Sequence, residues 1–230
     1  RTNLPVPNGG DGEVYDIAFL DGNMRYYGGY VLKTSNFAGY TPTAAYWRHT
    51  TRTNLNLGGS TMDIYGAIGN AITIDGEDIY VAGYRDWFGD TGQDGPSGGY
   101  TPQYWKNGEI HDLEEGMRTD FGTGAAYDIK IAGYLVQKYE IKKNGSLIKF
   151  DNFKLLKDQK YFIDKNVRYG GIYIYKIHTV CQVIAPILAY DDLNQNEYKY
   201  FKFLIASEGR VTHVECKEHI SPPPPDIIRA

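Results

Sequence analysis

The chain has 230 residues with 28 Asp and Glu against 24 Lys and Arg, so its net charge of −4 gives no electrostatic basis for binding nucleic acid. Hydrophobic residues make up 42%, enough for a packed core, yet no apolar run reaches the roughly 18 residues that suggest a membrane span. Two cysteines, Cys181 and Cys216, allow either one disulfide or two reduced thiols.

The chain begins at Arg1 rather than methionine, which points to a processed or trimmed protein. Its composition changes near residue 139. Residues 1–138 hold 23 of the 27 glycines and all three tryptophans, with 10 Lys and Arg against 17 Asp and Glu. Residues 139–230 hold four glycines, with 14 Lys and Arg against 11 Asp and Glu. Opposite charge and different glycine use predict two domains, residues 1–138 and 139–220, joined between Tyr134 and Asn152, with a Pro-rich tail over 221–230.

In chain order, the first elements form a unit that occurs twice. Val14 to Leu20 alternates as a strand, Asp21-Gly22-Asn23 turns, and Met24 to Leu32 returns. After a loop, Thr43 to Arg48 and Arg52 to Leu57 read as a third and a fourth strand. The second copy repeats the order. Asn70 to Ile74 is a strand, Asp75-Gly76-Glu77-Asp78 a hairpin turn, and Asp78 to Tyr84 the returning strand. A long loop is predicted from Arg85 to Gly99, then a strand over Thr101 to Lys106, an Asn107-Gly108 turn, and a strand over Glu109 to Leu113. Asp21-Gly22 and Gly29-Tyr30 return as Asp75-Gly76 and Gly83-Tyr84, 54 residues on. Gly39-Tyr40-Thr41-Pro42 returns as Gly99-Tyr100-Thr101-Pro102, and Tyr46-Trp47-Arg48 as Tyr104-Trp105-Lys106. Landmarks recurring in one order, with a period near 54 residues, define a repeat architecture, with copies at about 14–57 and 70–113. A partial third copy is predicted from residue 126, where Ala126-Tyr127-Asp128-Ile129 echoes Val14-Tyr15-Asp16-Ile17. It shortens to Ala132-Gly133-Tyr134 without the Asp-Gly turn.

Four short strands per unit, with Ile72 to Tyr84 followed by Tyr104-Trp105-Lys106-Asn107-Gly108-Glu109, resemble the blade repeats of secreted, β-propeller-like proteins of bacterial cell surfaces. The resemblance spans about residues 13–150. It implies an all-β fold of propeller-blade-like, four-stranded repeats and an extracellular or cell-surface location. Two and a half blades do not close a ring, so the chain is a piece of something longer, an open sheet stack capped by the second half, or one of several chains that complete one another; an open stack would leave edges that recruit partner strands.

The second half reads as a small antiparallel sheet or sandwich. Ser146 to Phe150, Gly171 to Val180, Glu197 to Ala206 and Val211 to Cys216 are its predicted strands. Cys181 to Leu193 is ambiguous between strand and short helix, with Pro186 against an uninterrupted helix. Pro222 to Pro225 favour polyproline II, as a stiff tail or a docking segment.

Candidate sites follow from residue chemistry. The Tyr46-Trp47 and Tyr104-Trp105 pairs are expected to pack between sheets, with stacking on sugar as the alternative. Asp86, Trp87, Phe88 and Tyr100, in and beside the loop from Arg85, are the candidate binding residues. An apolar pair amid acids there either meets a ligand or tucks under the loop. Asp90 and Asp94 are spaced like part of a calcium loop, though Gly92 and Thr101 replace two of its ligands, so calcium is the cofactor to test. Glu109, Asp112, Glu114 and Glu115 read as a solvated face. The histidines show no metal-ligand spacing and are expected to be satisfied core or surface side chains, although His178 and His213, within predicted strands, could face each other. Asn144 in Asn144-Gly145-Ser146 is a glycosylation candidate at a turn. No sequence motif names a catalytic residue. The residues predict a non-catalytic extracellular protein for binding or assembly, a surface or fibre subunit, with a protein partner, itself or a glycan as what it holds. The alternative is a polysaccharide-acting enzyme using loop carboxylates.

Overall fold

Every regular element is a β-strand among the residues described by the computed structural model, which are 4–6, 11–22, 24–35, 39–58, 64–90, 96–113, 125–159, 161–189 and 197–216. Among them, no helix is long and apolar enough to cross a membrane. The first four strands are β1 (Gly12–Leu20), β2 (Met24–Ser35), β3 (Gly39–Arg48) and β4 (Thr51–Asn54). They form an antiparallel sheet in the order β1-β2-β3-β4. The next four, β5 (Ile64–Asp75), β6 (Asp78–Asp90), β7 (Pro96–Lys106) and β8 (Glu109–Asp112), form a second sheet in the order β5-β6-β7-β8. The two predicted copies are therefore two sheets of one topology.

The turns follow from residues that tolerate positive φ. Asp21 and Gly22 have φ of 50° and 73°, and Asn107 and Gly108 have 52° and 94°. The Asn107 side chain adds to its turn, accepting from Ile79 N at 2.8 Å and donating to Asp78 at 2.9 Å.

The two sheets also share one irregularity. A β-bulge interrupts β1 between Val14 and Asp16, opposite Gly29 and Gly28, and interrupts β5 between Gly69 and Ala71, opposite Gly83 and Ala82. A Cβ on Gly29 would collide with the Glu13 carbonyl oxygen, and one on Gly83 with that of Ile68. The Gly-Tyr landmark repeats because each bulge brings a backbone carbonyl onto the glycine. The third echo, Gly133, likewise lies against a carbonyl, that of Leu155.

The first two sheets pack face to face. Tyr26 and Ala44 of the first meet Ile72, Val81 and Trp105 of the second in one buried cluster. The Asp16 carboxylate crosses the interface and accepts from Ile72 N at 2.9 Å. Both tryptophans are buried, which settles the Tyr-Trp pairs as packing residues. Trp47 Nε1 donates to the Pro5 carbonyl at 3.0 Å, and Trp105 Nε1 to the Asn56 carbonyl at 2.6 Å. Each indole thus pins the segment that leads into its own sheet. Trp105→Phe is expected to cost about 1.5 kcal/mol through this lost bond and the smaller ring, read as a lower urea midpoint.

The chain divides into two compact units, Arg1–Ala132 with Cys181–Ile205, and Gly133–Val180 with Ala206–Ala230. The predicted division at residue 138 falls six residues late and misses the return of 181–205 to the first unit. The third sheet contains β9 (Asp128–Ile141), β10 (Leu147–Leu156), β11 (Ile172–Ala189), β12 (Glu197–Ala206) and β13 (Arg210–Glu215). Its order is β10-β9-β11-β12, with β13 also pairing β11.

Three expectations are decided here. Among the described residues, no third meander forms. With the Asp-Gly turn lost, the chain runs straight through Gly133 as β9, beside β10 and β11. The ambiguous stretch after Cys181 is strand, and β11 continues through Pro186 to Ala189. The predicted join between Tyr134 and Asn152 is the β9–β10 hairpin.

In the first unit, Tyr80 and Ala82 of the second sheet pack on Ile129, Cys181 and Val183. The second unit has its own core of Val136, Tyr173 and Tyr175, flanked by Phe153, Leu155 and Phe162.

Candidate functional site

The predicted loop from Arg85 to Gly99 is mostly a hairpin. Strand β6 runs on to Asp90 and β7 starts at Pro96, with Asp86 opposite Tyr100 and Asp90 opposite Pro96. Tyr84 and Asp86 are two residues apart on β6 and so share one face. Tyr100, diagonal to Tyr84, packs edge-on against its ring at 4.8 Å and 72°. Burial pushes the Tyr84 phenol up to about 12, and Tyr100, Asp86, Tyr127 and Tyr30 add to the shift. Burial likewise raises the Asp86 carboxyl. Tyr30, the landmark tyrosine of the first copy, lies 5.9 Å from Tyr15, whose hydroxyl donates to Glu13 at 2.9 Å. The phenols of Tyr15 and Tyr30 are also raised, first by burial.

Neutral phenols and ring faces set beside carboxylates are suited to hydrogen bonding and stacking on a polar ligand. Tyr84 should titrate near pH 12 in tyrosine-selective 13C NMR, and Asp86→Asn should lower that value by removing a neighbouring negative charge. The sign for stability follows. Tyr84 holds its proton more tightly folded than unfolded, so its contribution is complete below about pH 10 and is lost as the pH rises through 12.

Of the sequence candidates, Asp86 and Tyr100 come together, the first half-buried and the second exposed. Trp87, Phe88 and Asp90 belong to β6, with side chains outside the described residues, and Asp94 lies outside them entirely. Among the described residues, no three His, Cys, Asp or Glu side chains gather as metal ligands. Cys181 and Cys216 are both free thiols. Cys216 bonds backbone to backbone with Gly171, before the start of β11, whereas Cys181 lies well along that strand. Burial pushes the Cys181 thiol up to about 12. Asn144 is exposed at its predicted turn and accepts from Ser146 N and Oγ at 3.0 and 2.7 Å. His178 and His213 do not face each other. His213 is opposite Ile174, and His178 contacts the Ser207 carbonyl at 2.6 Å and Gln137 at 3.2 Å. Asp112 of the acidic cluster accepts from Gln103 at 2.5 Å, while Glu114 and Glu115 lie outside the described residues.

Sequence reasoning passed over two groups. Tyr30 and Tyr84 were visible as landmarks, but their surface needed β6 and β7 paired beyond the turn. The second group lies in the second unit. Lys138 is fully buried, with Nζ 2.7 Å from Asp164 and donating to the Asn166 carbonyl at 2.5 Å. It also stands 4.5 Å over the Tyr173 ring. Burial alone would raise the Asp164 carboxyl, but hydrogen bonds from Lys138, Tyr175 and Asn166 N hold it below the usual range. Glu140 accepts from Lys142 at 2.6 Å and pairs with Arg168. Asp164, Asn166 and Arg168 thereby tie residues 161–168, which make no strand, to β9. The signal was the alternation Val136-Lys138-Glu140 on one strand face.

Compared with family models, curated proteins and solved structures, the chain matches none.

Proposed function

We propose that the chain is a non-catalytic extracellular or cell-surface protein for binding and assembly, built on propeller-blade-like modules. The observation that carries this reading is the tyrosine–carboxylate surface of the first unit, where the Tyr84–Tyr100 ring pair stands on the face of Asp86. Exposed Tyr100 offers a ring face, and the phenols and Asp86 offer donors and acceptors, a combination that suits a glycan or a polar peptide. Among the described residues, β1 and β4 each pair on one side only in the sheet order, and such edge strands suit a partner strand. The test is a glycan-array screen of the full chain, alongside light scattering over a concentration series. Tyr100→Ala should abolish any glycan signal. A strict monomer that binds neither glycan nor protein would sink the reading.

One observation favours the enzyme alternative. Burial raises the Asp86 carboxyl, as a general acid on polysaccharide requires. Release of reducing ends from a polysaccharide panel, lost in Asp86→Asn, would establish it.

A further inference from the structure

The two first-unit sheets can be overlaid position by position through their registers. One row across the first sheet is Ile17-Tyr27-Trp47-Arg52, and the matching row across the second is Ile72-Val81-Trp105-Ile110. The next pair is Phe19-Arg25 in the first and Ile74-Ile79 in the second. In the second sheet this face is covered by the first sheet, and Ile72 and Trp105 are 4% and 0% exposed. In the first sheet the same face lies open along β1, with Ile17 47% and Phe19 59% exposed and Val14 beside them.

The part of that face that is covered repeats the rule. Leu4-Pro5-Val6 stands where Leu55-Asn56-Leu57 stands one unit later. Leu4 packs by Trp47 as Leu55 packs by Trp105, and the Pro5 and Asn56 carbonyls each take the indole N–H. Leu55-Asn56-Leu57 directly follows the last strand of the sheet that covers Trp105. The segment at Leu4 is therefore equivalent to the trailing end of a module, seated where that module's sheet would lie.

We infer that the open face of the first sheet, centred on Ile17 and Phe19, is the docking surface for another four-stranded module of the same repeat. That module would present small and tyrosine side chains as Tyr26, Ala44 and Tyr46 do toward the second sheet. Exposed apolar side chains in a cluster mark such a surface, and the same positions one repeat later already have this occupant. The arginines bear on the occupant's chemistry. Arg25 and Arg52 stand where the second sheet has Ile79 and Ile110, at the turn end and the β4 edge of the patch. An apolar centre rimmed by arginine suits docking by a module that carries acceptors at its margin.

The inference rests on the assembly reading and names its surface. It is tested by duplicating residues 11–63 in tandem ahead of the chain, so that the added Leu55-Asn56-Leu57 replaces Leu4-Pro5-Val6. Phe19→Cys in the original copy serves as the probe. Maleimide labelling there, read by peptide mass, should slow at least tenfold relative to the unduplicated chain, and Ala44→Glu in the added copy should restore the rate. Limited proteolysis reads whether the added copy folds. Unchanged labelling over a protease-resistant copy, or a copy that stays protease-sensitive, overturns the inference. So does protection in the unduplicated chain that vanishes on dilution, since that would make the occupant a second whole chain. If the unmodified chain assembles while labelling at position 19 is indifferent to the added copy, the assembly reading stands and the face is wrong.

Discussion

Gly83→Ala is expected to destabilise the first unit by about 3 kcal/mol, with Gly29→Ala close behind. The added methyl at either position meets a backbone carbonyl, Ile68 or Glu13, rather than a side chain that could rotate away. Relief requires opening the bulge, and the bulge sets which side chains face the neighbouring sheet. In the second sheet it lies next to Ala71 and Ile72, which belong to the two buried clusters on opposite faces of that sheet. A shift there would loosen both. All three tryptophans fall within residues 1–132, so tryptophan fluorescence during urea unfolding reads this unit alone. Ala82→Gly, one residue away, removes a small buried methyl without a backbone clash and should cost about 1 kcal/mol. Equal losses for Gly83→Ala and Ala82→Gly would show that the carbonyl approach is not the cause.

Asp164→Ala is expected to cost the second unit about 4 kcal/mol, more than removing both partners together. Lys138 has no exposed side-chain surface and Asp164 is 8% exposed, so removing the carboxylate leaves an ammonium buried against Tyr173 without its counter-charge. The double variant Lys138→Met with Asp164→Leu removes the charge with its partner and should recover most of the loss. Near-neutral behaviour of Asp164→Ala alone would mean that the lysine reaches water. The pH dependence has a definite sign. Hydrogen bonds hold the Asp164 carboxyl below its unfolded value, so its contribution is present above about pH 4 and is lost as the pH falls through the folded value. Glu140, lowered first by Lys142 and then by Arg168, acts in the same direction. Acidification from pH 7 to 3 should therefore lower the urea midpoint of the second unit, read by near-ultraviolet circular dichroism of its tyrosines, and the double variant should flatten that response.

What local chemistry decides was legible without coordinates. The Asp-Gly and Asn-Gly turns, the alternation of β1 to β8 and the twofold use of one unit each depend on residues within a few positions of one another. The packing of the Tyr-Trp pairs, with both tryptophans buried, followed from their recurrence. Half of the candidate surface was legible too, since Asp86 and Tyr100 were both named. Their partner Tyr84 is a landmark of the repeat, which marks its place in the unit but not its neighbours.

Long-range pairing decided the rest. Residues 85–90 read as loop because glycine and acids crowd them, yet the ladder from Arg85–Thr101 to Asp90–Pro96 holds them extended. Pro186 spoke against an uninterrupted helix but could not by itself select a strand, which β11 forms through to Ala189 once it is paired. Lys138 is buried because its carboxylate comes from Asp164, 26 residues away in sequence, which no local pattern signals. The order β10-β9-β11-β12 likewise arises from strands that meet only after the chain has turned back. Turns and periodicity are properties of neighbouring residues, whereas register, burial of charge and the grouping of tyrosines depend on which distant strand arrives alongside.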